Sequence, residues 1–249
     1  MPRKSSILLT CLLGLALFPL GCLQVPARID ATTYPAPAYG SGEERFAKEI
    51  AAMRARDSVQ VPPHDGIALL GSSSFARWDS MLRDLAPLPV YNRGFGGSGL
   101  RQNAYYAPQI VAPYQPRMVV VYCGENDISN ASTPAKQALD DFQALVQVLR
   151  QDQADLPIVF LSMKPSPKRW GYWEKFQEAN AMIKRYTEEV RGLSYIDVGT
   201  AMLDSTGRPF PHIWKADSLH MNEAGYAIWR ELLVPQLQAA YTAAPPRKK

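Results

Sequence analysis

Ala68-Leu69-Leu70-Gly71-Ser72-Ser73-Ser74-Phe75 is an apolar run that stops at a glycine and then presents three serines. Ile67 to Leu70 predicts a short buried strand. Gly71 lets the backbone turn where a side chain would clash. Beyond the turn, Phe75, Trp78, Met81, Leu82 and Leu85 recur at helical spacing and predict one helix to about Leu85. A serine at such a strand-to-helix turn stands at the carboxyl end of the strand, where open α/β sheets bind ligands. A helix N-terminus there also offers free N–H groups to an anion. The simpler account of the same serines is a helix N-cap.

The pattern repeats outward from this unit. Further strands are expected at Val90–Tyr91, Met118–Tyr122, Ile158–Leu161 and Tyr195–Val198. Helices are expected from Gly42 to about Arg56, from Gly99 to Ile110, after Ser132-Thr133-Pro134 to about Gln151, from Trp173 to Val190 and from Asn222 to Ala239. Alternating apolar strands and helices imply a parallel sheet covered on both faces. The expected fold class is α/β: a three-layer α/β/α domain around a central five-stranded parallel sheet of flavodoxin-like order.

With 249 residues, the chain suits one domain with a full core. Its hydrophobic fraction of 47% and charged fraction of 20% are those of a globular protein rather than a disordered one. The net charge of +4 falls to +2 if a leader carrying Arg3 and Lys4 is removed. No basic stripe interleaved with aromatics appears, so nucleic acid is not an expected partner.

Arg3 and Lys4 followed by apolar residues 7–20 read as an export signal, residues 1–21. Gly21-Cys22 at its end resembles a bacterial lipobox, in which the cysteine is lipidated; Pro19 and Leu20 depart from that motif. Plain cleavage and an uncleaved anchor are the other readings. Residues 22–42, with Pro26, Pro35, Pro37, Gly40 and Gly42, read as a tether. The folded domain is expected over residues 43–242, with a basic tail at 243–249. The implied location is the cell envelope, as an exported and membrane-anchored lipoprotein on the periplasmic or outer-membrane side. Removal of Cys11 and lipidation of Cys22 would leave Cys123 alone, an inert residue in an apolar strand with no disulfide partner.

Four short blocks fall at strand ends or in loops: Gly71-Ser72-Ser73-Ser74, Asn92-Arg93-Gly94-Phe95-Gly96-Gly97-Ser98, Gly124-Glu125-Asn126-Asp127 and Asp217-Ser218-Leu219-His220. In this order they resemble the SGNH (GDSL-type) hydrolases, and the resemblance spans residues 67–230. It implies a serine esterase working through an acyl-enzyme. Ser73 would be the nucleophile and His220 its base, histidine being the side chain whose ordinary pKa lies near neutrality. Asp217 would hold the imidazole tautomer. The Ser73 N–H, the Gly97 N–H and the Asn126 amide would form the oxyanion hole. Ser72 stands where the family usually has aspartate, a change that removes no catalytic group.

Other readings of these residues are structural. Asn126-Asp127 also fits a turn after a strand, and Asp127 reads as structural. His64 reads as a surface residue, and His212 as structural or lining the site. The Gly94–Gly99 loop lacks the ending and spacing of a nucleotide-binding loop. No His, Cys and carboxylate cluster has metal-ligand spacing, so neither metal nor cofactor is expected. Lys164 to Trp173 reads either as an aromatic platform for a sugar or acyl chain, or as the start of an amphipathic helix. The expected substrate is a small-molecule, polysaccharide or lipid ester, with short acyl groups on envelope carbohydrate preferred. The competing functions are a lipase or lysophospholipase, an acyltransferase using the same acyl-enzyme, and a non-catalytic envelope-binding protein.

Overall fold

A computed structural model describes residues 42–246. The expected leader, Cys22, the tether to residue 41 and the last three basic residues lie outside the described residues. Five strands, β1 (Ile67–Gly71), β2 (Val90–Gly94), β3 (Met118–Tyr122), β4 (Ile158–Leu161) and β5 (Leu193–Ile196), form one parallel sheet in the order β2-β1-β3-β4-β5. This is the three-layer α/β architecture and the flavodoxin-like order expected from the alternation.

Strand side chains alternate between faces. Ala68, Leu70, Val119, Val121, Ile158 and Phe160 point to one apolar layer; Ile67, Leu69, Met118, Val120, Val159 and Leu161 point to the other. The first layer is closed by α1 (Gly42–Val59), α4 (Leu100–Ile110), α6 (Lys136–Leu149) and α7 (Trp173–Glu189). The second is closed by α2 (Ser73–Ala76), α3 (Met81–Asp84) and α8 (Glu223–Ala243). The remaining helix, α5 (Glu125–Ile128), is a single turn directly after β3.

Several elements differ from expectation. The helix expected to Leu85 is two short pieces. Asp84 accepts hydrogen bonds from Trp78 Nε1, at 2.8 Å, and from Ser80 Oγ, which holds the intervening residues in a turn. Side chains that bond locally compete with helix in this way. Leu82 is consequently 57% exposed instead of joining Phe75, Trp78, Met81 and Leu85 in the core.

Strand β2 extends to Gly94 because Arg93, expected in a loop, finds buried partners. It meets Asp57 Oδ2 at 2.9 Å and the Ile110 carbonyl at 2.6 Å. Strand β5 starts and ends two residues early. Asp197 Oδ1 accepts the N–H groups of Gly199 and Thr200 and takes the chain out of the sheet. Ser132 and Thr133 donate their N–H groups to Asn130 Oδ1, and α6 begins only at Lys136. At the other end α8 reaches Ala243, and the Ala244 carbonyl accepts from Arg117 Nε at 2.9 Å, so order continues into the expected tail.

Candidate active site

The first strand delivers Ser73. A Cβ on Gly71 would lie 2.2 Å from the Tyr122 carbonyl oxygen, so only glycine lets β1 pass β3 this closely at the turn. Ser72 donates its N–H to that same carbonyl and is buried, as is Ser74; Ser73 between them is half-exposed. Asn92 locks the turn to β2, donating to the Phe75 carbonyl at 2.7 Å.

The loop before α8 delivers the other two groups. Asp217 Oδ1 accepts from the backbone N–H of Leu219 at 3.0 Å and of His220 at 2.9 Å. Its Oδ2 lies 2.6 Å from His220 Nδ1, and His220 Nε2 lies 3.0 Å from Ser73 Oγ. Ser73, His220 and Asp217 therefore form an unbroken hydrogen-bonded run. Partial burial raises the Asp217 carboxyl, but the hydrogen bonds from the His220 ring and the two N–H groups outweigh it. The group is held well below the usual carboxylate range.

The glycine loop and α5 bring the remaining candidates to this edge. Gly97 has φ +78°, a left-handed conformation suited to glycine. Ser98 Oγ donates to the Gly71 carbonyl at 3.2 Å, which pins the loop beside the nucleophile turn. Asn126 Nδ2 donates to the Ser98 carbonyl at 2.9 Å, so Asn126 and the Gly97–Ser98 segment are directly connected. The Ser73 N–H is the first of α2 and has no helical acceptor.

Two features were not read from the sequence. One is that α1 covers the glycine loop. Phe46 packs edge-on to Phe95 at 5.2 Å, Glu49 accepts the Gly96 N–H at 3.1 Å, and the Arg45 guanidinium lies against Gly97. The other is a buried charge cluster. Glu125 pairs with Lys164 at 3.1 Å and Arg169 at 3.3 Å, and accepts from Tyr122 Oη. Burial pushes the Glu125 carboxyl up, yet the two cations outweigh it and keep it below its ordinary range. Burial draws Lys164 down against the opposing pull of Glu125. A signal was present in the sequence: Lys164 comes three residues after the end of an apolar strand, where an unpaired charge would be costly.

Trp173 and Phe176 are buried in the core, which favours the helical reading of that segment. Trp170 is half-exposed, but Trp173 stacks with it at 6.2 Å and Arg208 lies over its ring at 4.7 Å, so it is not an open platform. His64 and His212 are exposed. Burial pushes the Cys123 thiol far above its ordinary pKa and leaves it inert. Two surface clefts of about 400 and 380 Å³ are lined by the carboxyl ends of α4, α6 and α7 and their loops, on the edge opposite the serine.

Asp127 bonds the start of α4 through Leu100 N at 2.9 Å, but its Oδ2 is buried without a partner. Burial raises its pKa to about 7, with the Leu100 N–H opposing and Asp141 reinforcing. The unfolded chain releases this proton near pH 4, about the ordinary aspartate value. The folded state therefore binds more protons between those values, and the group costs stability as pH rises through that window. Asp127→Asn is expected to stabilise the protein at pH 8 by about 1–3 kcal/mol. That corresponds to a Tm gain of about 2–4 °C per kcal/mol. The gain should be less than half as large at pH 5 and should vanish only below about pH 4. Thermal melts at the two pH values check this, and an equal shift at both would reject it.

The sheet order and the serine–histidine–aspartate run at its carboxyl edge define an α/β hydrolase of SGNH type. The profile of the GDSL-like lipase/acylhydrolase family matches residues 64–228, and the chain belongs to that family, an ester-bond hydrolase. No protein of curated function matches it in sequence. Among solved structures it is similar to a Streptococcus pneumonia protein provisionally named a platelet activating factor. The TM-score is 0.65 at 21% identity, covering 78% of this chain and 93% of that one. It is also similar to a GDSL-like lipase from Bacteroides thetaiotaomicron, with TM-score 0.64, 17% identity and coverage of 85% and 100%. A lipase/acylhydrolase from Enterococcus faecalis gives 0.55, 17%, and 74% and 99%. At these identities the likeness is one of fold.

Proposed function

We propose that the protein is a serine esterase that removes short acyl groups, acetyl foremost, from carbohydrate of a bacterial cell envelope. The observation that carries the reading is the run from Ser73 Oγ through His220, at 3.0 Å, to Asp217, at 2.6 Å. Ser73 Oγ attacks the ester carbonyl carbon as His220 Nε2 takes its proton. Asp217 stabilises the imidazolium and fixes its orientation. Charge developing on the carbonyl oxygen is met by the N–H groups of Ser73 and Gly97 and by Asn126 Nδ2. The C–O bond to the alcohol breaks, and His220 returns the proton to the departing oxygen. Water then repeats the attack on the acyl-serine and releases the acid.

The preference for a short acyl group is supported by the Arg169 guanidinium, 20% exposed at the rim beside Asn126, with Glu125 and Lys164 buried beneath it. A long alkyl chain laid there would desolvate charge. A sugar alcohol offers hydroxyls that such groups can bond. Envelope placement rests on the export signal and on lipidation of Cys22, and the membrane partner is that anchor. Arg45 and Glu49, in the first turns of α1, lie at the glycine loop, so the chain joins the domain at its catalytic edge.

The test is a fluorophosphonate followed by a series of p-nitrophenyl esters. One adduct is expected on the Ser73 peptide, and kcat/KM should fall from acetate to dodecanoate. A rate that rises with chain length replaces the acetyl reading with lipase or lysophospholipase action. Capture of the acyl group by added sugars or alcohols ahead of water makes the protein an acyltransferase. No adduct on the folded chain, with polysaccharide bound and not turned over, makes it a binding protein.

A further inference from the structure

We propose that Arg169 is a positioning residue that sets the Asn126 carboxamide as an oxyanion donor, through a guanidinium fork anchored on buried Glu125. The proposal rests on the reading of Asn126 as such a donor. Arg169 Nη2 donates to Asn126 Oδ1 at 2.6 Å, and Arg169 Nη1 donates to Glu125 Oε2 at 3.3 Å. One planar group thus spans two consecutive residues of α5. A carboxamide has two similar ends, and its neighbours decide which way it faces. Here a guanidinium, which only donates, meets the oxygen. The Ser98 carbonyl, which only accepts, meets the nitrogen at 2.9 Å. A flip would break both bonds. The second hydrogen of Nδ2 is left for the substrate oxygen, and a cation on Oδ1 polarises that N–H towards stronger donation.

The anchor under the fork is fixed from other directions. Lys164 Nζ reaches the two Glu125 oxygens at 3.1 and 3.3 Å, Tyr122 Oη donates to one of them, and Lys164 is only 2% exposed. Glu125 therefore keeps two partners when Arg169 is removed, and the fold should survive the change. Arg169 itself is 20% exposed, at the site's rim rather than in the core. The preceding residue donates its N–H to the Ser218 carbonyl at 3.0 Å, within the loop carrying Asp217 and His220. The segment 167–172 therefore touches the oxyanion arm and the acid–base arm at once.

A purely structural Arg169 would serve only to neutralise Glu125, and a lysine would do that. A lysine supplies the charge at one point and lacks the rigid fork that reaches Glu125 and Asn126 together. The experiment measures kcat and KM for p-nitrophenyl acetate with the purified full chain. It compares wild type, Arg169→Ala, Arg169→Lys, Asn126→Ala and the Arg169→Ala/Asn126→Ala double variant, with circular dichroism as the control for folding.

Arg169→Ala should lower kcat by about 10–100-fold, somewhat less than the full loss of an oxyanion donor. KM should change by less than about 3-fold, because the interaction matters in the transition state. Arg169→Lys should recover little. In the Asn126→Ala background, loss of Arg169 should change kcat by less than about 3-fold, since coupled residues are not additive. Full recovery by lysine overturns the proposal, as does an undiminished effect of Arg169→Ala in the Asn126→Ala background. If Asn126→Ala alone leaves kcat unchanged, the oxyanion assignment itself fails, a result distinct from either. Should Arg169→Ala not fold, Arg169→Lys in both backgrounds carries the same comparison.

Discussion

Ser73→Ala abolishes ester hydrolysis: kcat for p-nitrophenyl acetate should fall by about 10⁴–10⁶-fold, the range seen when a nucleophile that works with a base is removed. The size follows from geometry. Of the three adjacent serines, Ser73 is the one whose hydroxyl lies 3.0 Å from an imidazole nitrogen. A hydroxyl without that base is a weak nucleophile. What survives in the variant is binding and the oxyanion donors, which cannot replace a bond-forming atom. Ser72 and Ser74 serve as internal controls. Both are buried, and the Ser74 carbonyl accepts from Tyr226 Oη at 2.8 Å through the backbone, a contact that an alanine retains. Ser72→Ala and Ser74→Ala should each cost less than about 10-fold, as changes that leave the reacting groups in place. Circular dichroism and thermal melts establish that each variant is folded. If Ser73→Ala keeps more than a hundredth of the wild-type rate, another group performs the attack, and the acyl-enzyme on Ser73 is wrong.

The parallel sheet was legible because its strands are short, continuous apolar runs. Met118–Tyr122 and Ile158–Leu161 begin and end as read, since residues buried on both faces leave no other pattern. Boundaries failed where a polar side chain made a local bond that no periodicity reveals. Asp84 broke the helix expected after Ser73, and Asp197 ended β5 early. Arg93 extended β2 for the opposite reason: Asp57, thirty-six residues away, supplied the partner that makes a buried arginine tolerable. The candidate site divides the same way. Ser73, Asp217 and His220 stand in compact blocks, and spacing alone places Asp217 and His220 three residues apart on one loop. Arg169 reaches Asn126 from forty-three residues away, across strand β4, and nothing in the local sequence of either residue names the other. The docking of α1 on the glycine loop is of this kind too: the helix was expected, but its partner was set by tertiary packing of Phe46 on Phe95.

His220→Ala should cost nearly as much as loss of the nucleophile, about 10⁴-fold or more in kcat, while Asp217→Asn should cost about 10²–10³-fold. The two residues differ in what water can replace. His220 is buried to within 9% and is the group that contacts Ser73, so its loss leaves the serine proton with no acceptor. The Asp217 side chain is 43% exposed, and solvent can partly stabilise an imidazolium that has lost its carboxylate. This is why the expected loss lies below that of a fully enclosed triad aspartate. Asparagine keeps an oxygen for the Leu219 and His220 N–H groups, so the loop conformation is retained and the effect reads the chemistry at Nδ1. There the amide presents an N–H where Asp217 Oδ2 now stands, 2.6 Å from Nδ1. The ring must then carry its proton on Nε2, facing Ser73, which is the tautomer unable to accept the serine proton. The decisive comparison is a cycle of Ser73→Ala, His220→Ala and the double variant. If the two act as one unit, the double variant should be no slower than Ser73→Ala alone, within about 3-fold. A double variant slower by the product of the single effects would mean that His220 acts on something other than Ser73, and the proton-transfer role assigned to their 3.0 Å contact would fall with it.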